Sequence, residues 1–194
     1  MRESHTVHAM SITAHHYALK PYPIWPGFAL IVLLIGVELK DASDEETVNL
    51  LTHVKATLPP SDAFWILSIL ILIYYLMCVY RFHSVLRQQT EGDYPIKPPE
   101  AAFFHLVPLL NLYWVFAWPS RFAGYVNAER AIKVIPGAVC GCALILSALI
   151  SKYFDTAVGM AGLFLVTAYL TNRLRHYVGY RELDRAAAAL ENPA

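Results

Sequence analysis

The sequence predicts an all-α integral membrane protein with four transmembrane helices plus a re-entrant, interfacial helical hairpin. Three observations carry that prediction. Hydrophobic residues make up 57% of the 194 residues and charged ones 15%, against roughly 45–50% and about 25% in soluble domains. The charges are also segregated: 63–80, 101–120, 134–151 and 156–172 contain no Lys, Arg, Asp or Glu. A span needs about 17–25 mainly apolar residues, and each run reaches or nears that length. Finally, positive charge marks cytoplasmic loops, and its distribution here favours four crossings over five.

Residues 1–23 are polar and His-containing and lack the pattern of a cleaved signal. They are read as a cytoplasmic tail, and the run 24–39 after them as a retained first span. Two Lys and five acids occupy 40–62, which suits the outer face. Ser43-Asp-Glu-Glu46 has the form of a capping box, and Val48, Leu51, Val54 and Leu58 recur at three- and four-residue spacing. An outer amphipathic helix over about 44–58 is expected. The second span is 63–80.

The run 101–119 contains Pro108-Leu-Leu-Asn111 and decides the threading. If it spans, the chain crosses five times, with at best nine basic residues inside and six outside. If it dips in and returns, the spans are 24–39, 63–80, 134–151 and 156–172, and twelve of the 15 Lys and Arg lie inside. These are two in the tail, three in 81–100, three in 120–133 and four after 172. The re-entrant arrangement satisfies the charge rule better, with both termini cytoplasmic. Proline stops or bends a helix, so Pro108–Asn111 is the expected tip, with Asn111 bonding backbone groups freed there. Trp114 and Trp118 are expected to return the second limb to headgroup level. A span kinked at Pro108 is the alternative. A short amphipathic helix over 121–133 would turn Phe122, Val126 and Ile132 towards the membrane. The region 173–194 reads as a cytoplasmic helical tail.

Lys97, Pro108, Asn111, Tyr113, Trp114, Phe116 and Asn127 together resemble the P-x-x-N-x-Y-W-x-F segment of poorly characterised bacterial multi-pass membrane proteins, some fused to a GYF-like domain. The resemblance covers about 35 residues, implies the same topology in a bacterial inner (plasma) membrane, and implies no reaction.

Candidate chemistry is sparse. His83 and His105 both fall near the cytoplasmic interface, where a shared metal is conceivable and interfacial hydrogen bonding is the plainer reading. His5-x-x-His8 lacks nearby cysteines. Cys78, Cys140 and Cys142 lie in apolar runs and read as small hydrophobes. No carboxylate, Lys or Arg sits mid-span, where proton-coupled transport usually places one, and no catalytic signature appears. No cofactor is expected, and zero net charge gives no support for nucleic-acid binding. Gly137-x-x-x-Gly141 with Ser147, and Gly159 with Gly162, form two small-residue faces expected to pack together as a hairpin. Dimerisation through Gly137 and Gly141 is the alternative.

The functional expectation is a non-catalytic accessory or scaffold subunit of a larger membrane complex or homo-oligomer. It rests on aromatic residues Phe103, Phe104, Trp114 and Trp118, more than short helices can bury. A small-solute channel or transporter formed by oligomerisation, with Asn111 lining the path, is the alternative.

Overall fold

The computed structural model describes residues 20–52, 60–130 and 135–191. They form six helices: α1 (Trp25–Thr52), α2 (Asp62–Gln89), α3 (Pro98–Phe103), α4 (Pro108–Arg130), α5 (Gly137–Tyr153) and α6 (Thr156–Glu191). No strand occurs among the described residues. Among the described residues, two helices are long and apolar enough to cross a membrane, α2 and the stretch Thr156–Ala188 of α6. The apolar α5 is shorter, at 17 residues.

Helix ends follow local chemistry. Ser61 caps α2 by accepting from the Phe64 N–H at 3.4 Å, and Asp155 accepts from the Val158 N–H at 2.7 Å at the start of α6. α2 ends in a Schellman motif. The Gly92 N–H reaches Arg87 O at 2.9 Å and the Glu91 N–H reaches Gln88 O at 3.3 Å. Glu91 and Gly92 take φ of 55° and 99°, the left-handed turn that closes such a cap.

Cross-helix contacts fix directions. α1 runs antiparallel to α2. The Ser61 N–H donates to Asp41 Oδ2 at 3.0 Å at one end, and Arg81 Nε donates to Lys20 O at 2.9 Å at the other. Phe164 of α6 is fully buried at the centre, with ring centroids 6.0 Å from Phe28 and 5.9 Å from Tyr75. A Cβ added at Gly27 would overlap the Phe164 ring, so α1 crosses α6 only because residue 27 is glycine. α6 runs parallel to α2, from Phe164 beside Tyr75 to Arg181 donating to Gln89 O at 3.3 Å. α5 is antiparallel to both α4 and α6.

Three expectations are corrected here. The expected outer helix over 44–58 does not start at Ser43. α1 runs unbroken through Thr52, and 53–59 lie outside the described residues. With no Gly or Pro from 37 to 58, backbone hydrogen bonding continues past the capping box. The Lys40–Asp44 ion pair at 2.8 Å spans the point where a break was expected. The Lys40 ammonium donates to Asp44 Oδ2, and that bond raises its pKa above the usual value. The short helix expected over 121–133 is instead the second half of α4, which runs through Pro119. Its Phe122 and Val126 are buried in the core rather than turned outward. Residues 1–19, 131–134 (with Ile132) and 192–194 lie outside the described residues.

Candidate functional site: the hairpin seam

Residues 94–122 enter and leave at the same end of α2. The Tyr94 ring stacks on His83 at 5.6 Å with a 17° interplanar angle. His105 meets Tyr75, with centroids 5.5 Å apart. Trp118 then returns to His83 at 5.5 Å. Tyr75 and His83 are eight residues apart on one helix, about 12 Å at 1.5 Å per residue. The hairpin therefore advances about 12 Å along α2 and turns back.

The turn occupies Phe104–Val107, with Pro108 opening α4 rather than forming the tip. This corrects the expected Pro108–Asn111 tip. A proline at the first helical position loses only an N–H that has no intrahelical acceptor, and its fixed φ suits the helix. Asn111 sits in the first turn of α4, its N–H donating to Val107 O at 2.7 Å. Its side-chain oxygen, expected to bond freed backbone groups, is buried without a partner.

The end of α3 explains why His105 and Trp114 are where they are. The last carbonyls of a helix have no intrahelical donor. Ala101 O is one of these, and two side chains satisfy it: His105 Nδ1 at 2.7 Å and Trp114 Nε1 at 3.0 Å. A carbonyl has two lone pairs and accepts both. This arrangement assigns the proton to Nδ1 and leaves His105 Nε2 to accept from the Tyr75 hydroxyl at 3.5 Å. Phe104 packs edge-on to Trp114 at 4.9 Å. Arg121 lies 5.7 Å from the Trp114 ring centroid and donates to the Tyr113 hydroxyl at 3.3 Å.

One turn further along, Phe82 touches Trp118 and Phe122 at centroid distances of 5.5 and 4.8 Å. Here the polar atoms are unmatched. His83 Nδ1 and Nε2, the Tyr94 hydroxyl and Trp118 Nε1 are all buried without a hydrogen-bond partner. His83 and Trp118 are 0% exposed. The reading of His83 as an interfacial hydrogen-bonding residue does not fit this position. His105 does hydrogen-bond, but to neighbours 30 and four residues away inside the bundle. Among the described residues no group of three or more His, Cys, Asp or Glu is placed to hold a metal.

Trp114 and Trp118 are buried, at 3% and 0% exposure, instead of forming a headgroup belt. Side-chain packing against α2 and α3 outcompeted the interface. Phe104 is half-buried, and of the four aromatics only Phe103 is exposed.

Asn127 closes the connection between α4 and α5. Its Nδ2 donates to Ile135 O at 3.0 Å, and its Oδ1 accepts from the Ile135 N–H at 3.2 Å. That reciprocal pair substitutes for backbone bonding, a role that the sequence gives no pattern to reveal. Phe116 lies against Gly141, whose added Cβ would sit 2.7 Å from Phe116 Cδ2. A Cβ on Gly137 would fall 2.6 Å from that of Ala123. Gly137 and Gly141 therefore face α4, while Gly159 and Gly162 meet Ser151 and Ser147 of α5. The expected packing of the two small faces holds at Ser147, which meets Gly162, whereas Gly137 and Gly141 turn to α4 instead: α5 offers glycine to α4 and serine to α6. No family model, curated protein or solved structure matches this chain.

Proposed function

We propose that this chain is a bacterial inner-membrane protein that crosses four times, with both termini cytoplasmic and the 94–122 hairpin dipping in from the cytoplasmic side. It acts without catalysis, as a scaffold or accessory subunit held by other membrane proteins or by copies of itself. The threading rests on the basic-residue distribution and on the return of both hairpin limbs to His83. A 12 Å advance stops well short of crossing a hydrocarbon core of about 30 Å.

One observation carries the partner. The non-helical tip and the start of α4 are uncovered: Phe103, Leu106, Leu109, Leu112 and Tyr113 are each between 55% and 85% exposed. Irregular backbone at membrane depth is tolerated where protein buries it or it lines a water-filled cavity, not where it faces lipid. The first N–H groups of α4 lack intrahelical acceptors, and so does the Asn111 side-chain oxygen lack a donor. A partner helix laid over this tip supplies both apolar cover and polar groups.

Asn111 also supports a second reading, in which oligomers enclose a small-solute path at the tip. The described core is filled through its middle by Leu34, Ile71, Leu144, Phe164 and Leu170, each fully buried. Such a path would therefore run between copies.

A photo-crosslinking residue tests the proposal in cells, placed in turn at Leu109 and at Leu165, which is 61% exposed on α6. Leu109 should yield a discrete protein adduct and Leu165 lipid adducts. Lipid adducts at both positions would remove the partner, and lipid adducts at neither would remove the membrane.

A further inference from the structure

A cleft of about 370 Å³ opens where the segment leading into α1 crosses α6. Arg175, Val178, Gly179 and Glu182 line it from α6, at the i, i+3, i+4, i+7 spacing that forms one helix face. Lys20, Pro21 and Pro23 form the opposite wall. Two prolines make that wall stiff.

Most cations nearby are already engaged. Arg81 donates to Lys20 O and lies over the Tyr22 ring, Arg173 lies over Tyr169, and Arg181 donates to Gln89 O. Lys20 and Arg175 have no ion pair among the described residues, and neither does Glu182. Two cations and one carboxylate thus share a cleft without neutralising one another. Under the proposed threading, which this inference requires, Arg175 lies three residues past the apolar run 156–172. Lys20 is level with Arg81, one residue past 63–80. Both reach the cytoplasmic headgroup layer, where basic pockets between helices take lipid phosphates.

We propose that this cleft binds the headgroup of an anionic, hydroxyl-bearing phospholipid, of the phosphatidylglycerol type. The phosphodiester sits between Lys20 and Arg175, and a headgroup hydroxyl donates to Glu182. The cleft's net charge of plus one, from two cations and Glu182, matches the single negative charge of that phosphodiester. A choline headgroup has no donor for Glu182 and leaves the positive charge unbalanced.

The test uses the full chain, reconstituted in vesicles of mixed phosphatidylglycerol, phosphatidylethanolamine and phosphatidylcholine, then extracted gently for native mass spectrometry. Phosphatidylglycerol should be retained about tenfold over phosphatidylcholine. The Lys20→Ala/Arg175→Ala double variant should lose that preference, and Lys20→Arg/Arg175→Lys should keep it. Gly179→Leu should lose it too, by filling the cleft. A Cβ at 179 meets no atom within 4 Å, so this variant should still fold.

Equal retention of all three lipids by the wild type overturns the site, as does a preference that survives both the double alanine and Gly179→Leu variants. Preference for phosphatidylethanolamine overturns the lipid class. Displacement by millimolar glycerol phosphate makes it a site for free phosphate esters. Wild-type protein that fails to float with the vesicles overturns the membrane threading itself, whereas protein that floats without preference overturns the cleft alone.

Discussion

The seam between α5 and α6 and the seam between α2 and the hairpin solve the same problem in opposite ways. Under the proposed threading both bring helices together in lipid, where apolar solvation contributes little to association and the contact comes from van der Waals packing and hydrogen bonds. The α5–α6 seam uses small residues. Gly159 and Gly162 lie so close to Ser151 and Ser147 that an added Cβ would overlap them. The serine hydroxyl at 147 bonds its own helix, to Ala143 O at 2.8 Å. The hairpin seam uses large rings, Tyr75, Phe82, His83, Tyr94, Trp114 and Trp118, and leaves several of their polar atoms unmatched. Close backbone approach gives a seam with no tolerance for volume. Ring packing gives one that buries polar atoms without partners.

The largest expected effect breaks the small-residue seam. Gly159→Val would place a β-branched side chain into the Ser151 backbone, which cannot retreat without separating the helices. Overpacking usually costs about 1–3 kcal/mol. Because backbone is struck here, a loss of about 3 kcal/mol is expected in reversible unfolding from mixed micelles. A loss below about 1 kcal/mol would mean that the seam is looser than the geometry implies.

A double-mutant cycle at Trp114 and His105 probes the hairpin seam at intermediate size. Ala101 O accepts from both residues, so Trp114→Phe or His105→Phe alone leaves it one donor and should cost about 1 kcal/mol. The double variant leaves a buried carbonyl unsatisfied and should cost about 1 kcal/mol more than the sum. Strict additivity would show that the two donors do not share that acceptor.

The smallest effect, and the one that sharpens the contrast most, is His83→Phe. Replacing an unpartnered buried polar group by an apolar one of similar shape is near neutral or stabilising. Stability should change by less than about 1 kcal/mol, in the favourable direction. A clear loss would show that the ring nitrogens bind a polar group in the membrane, and would mark the seam as a binding site.

Much of the fold is legible in the chain because charge and apolarity are cheap to read locally. The uncharged runs place α2, α5 and the first half of α6, and Asp155 with Thr156 marks the turn between the last two helices. The interruption near Pro108 is visible too, but not its sense. Proline breaks a helix behind it and starts one ahead of it, and only the contacts of Ala101 O with His105 and Trp114 show which happened. The capping box at Ser43 misleads for a related reason: a good start signal has no effect where the preceding helix has no reason to stop.

By itself, the sequence determined that this chain is helical and strongly apolar, where its uncharged runs lie and where its basic residues gather. Those properties belong to single residues and their near neighbours. The tertiary structure alone decided that Trp114 and Trp118 are buried, that Gly137 and Gly141 serve α4 rather than α6 or a second copy, and that Lys20 and Arg175 share a cleft. Apolar helices present similar faces in every direction, so periodicity does not choose among partners. Shape does: a Cβ built on Gly141 would lie only 2.7 Å from Phe116 Cδ2, so glycine there is what lets α4 approach this closely.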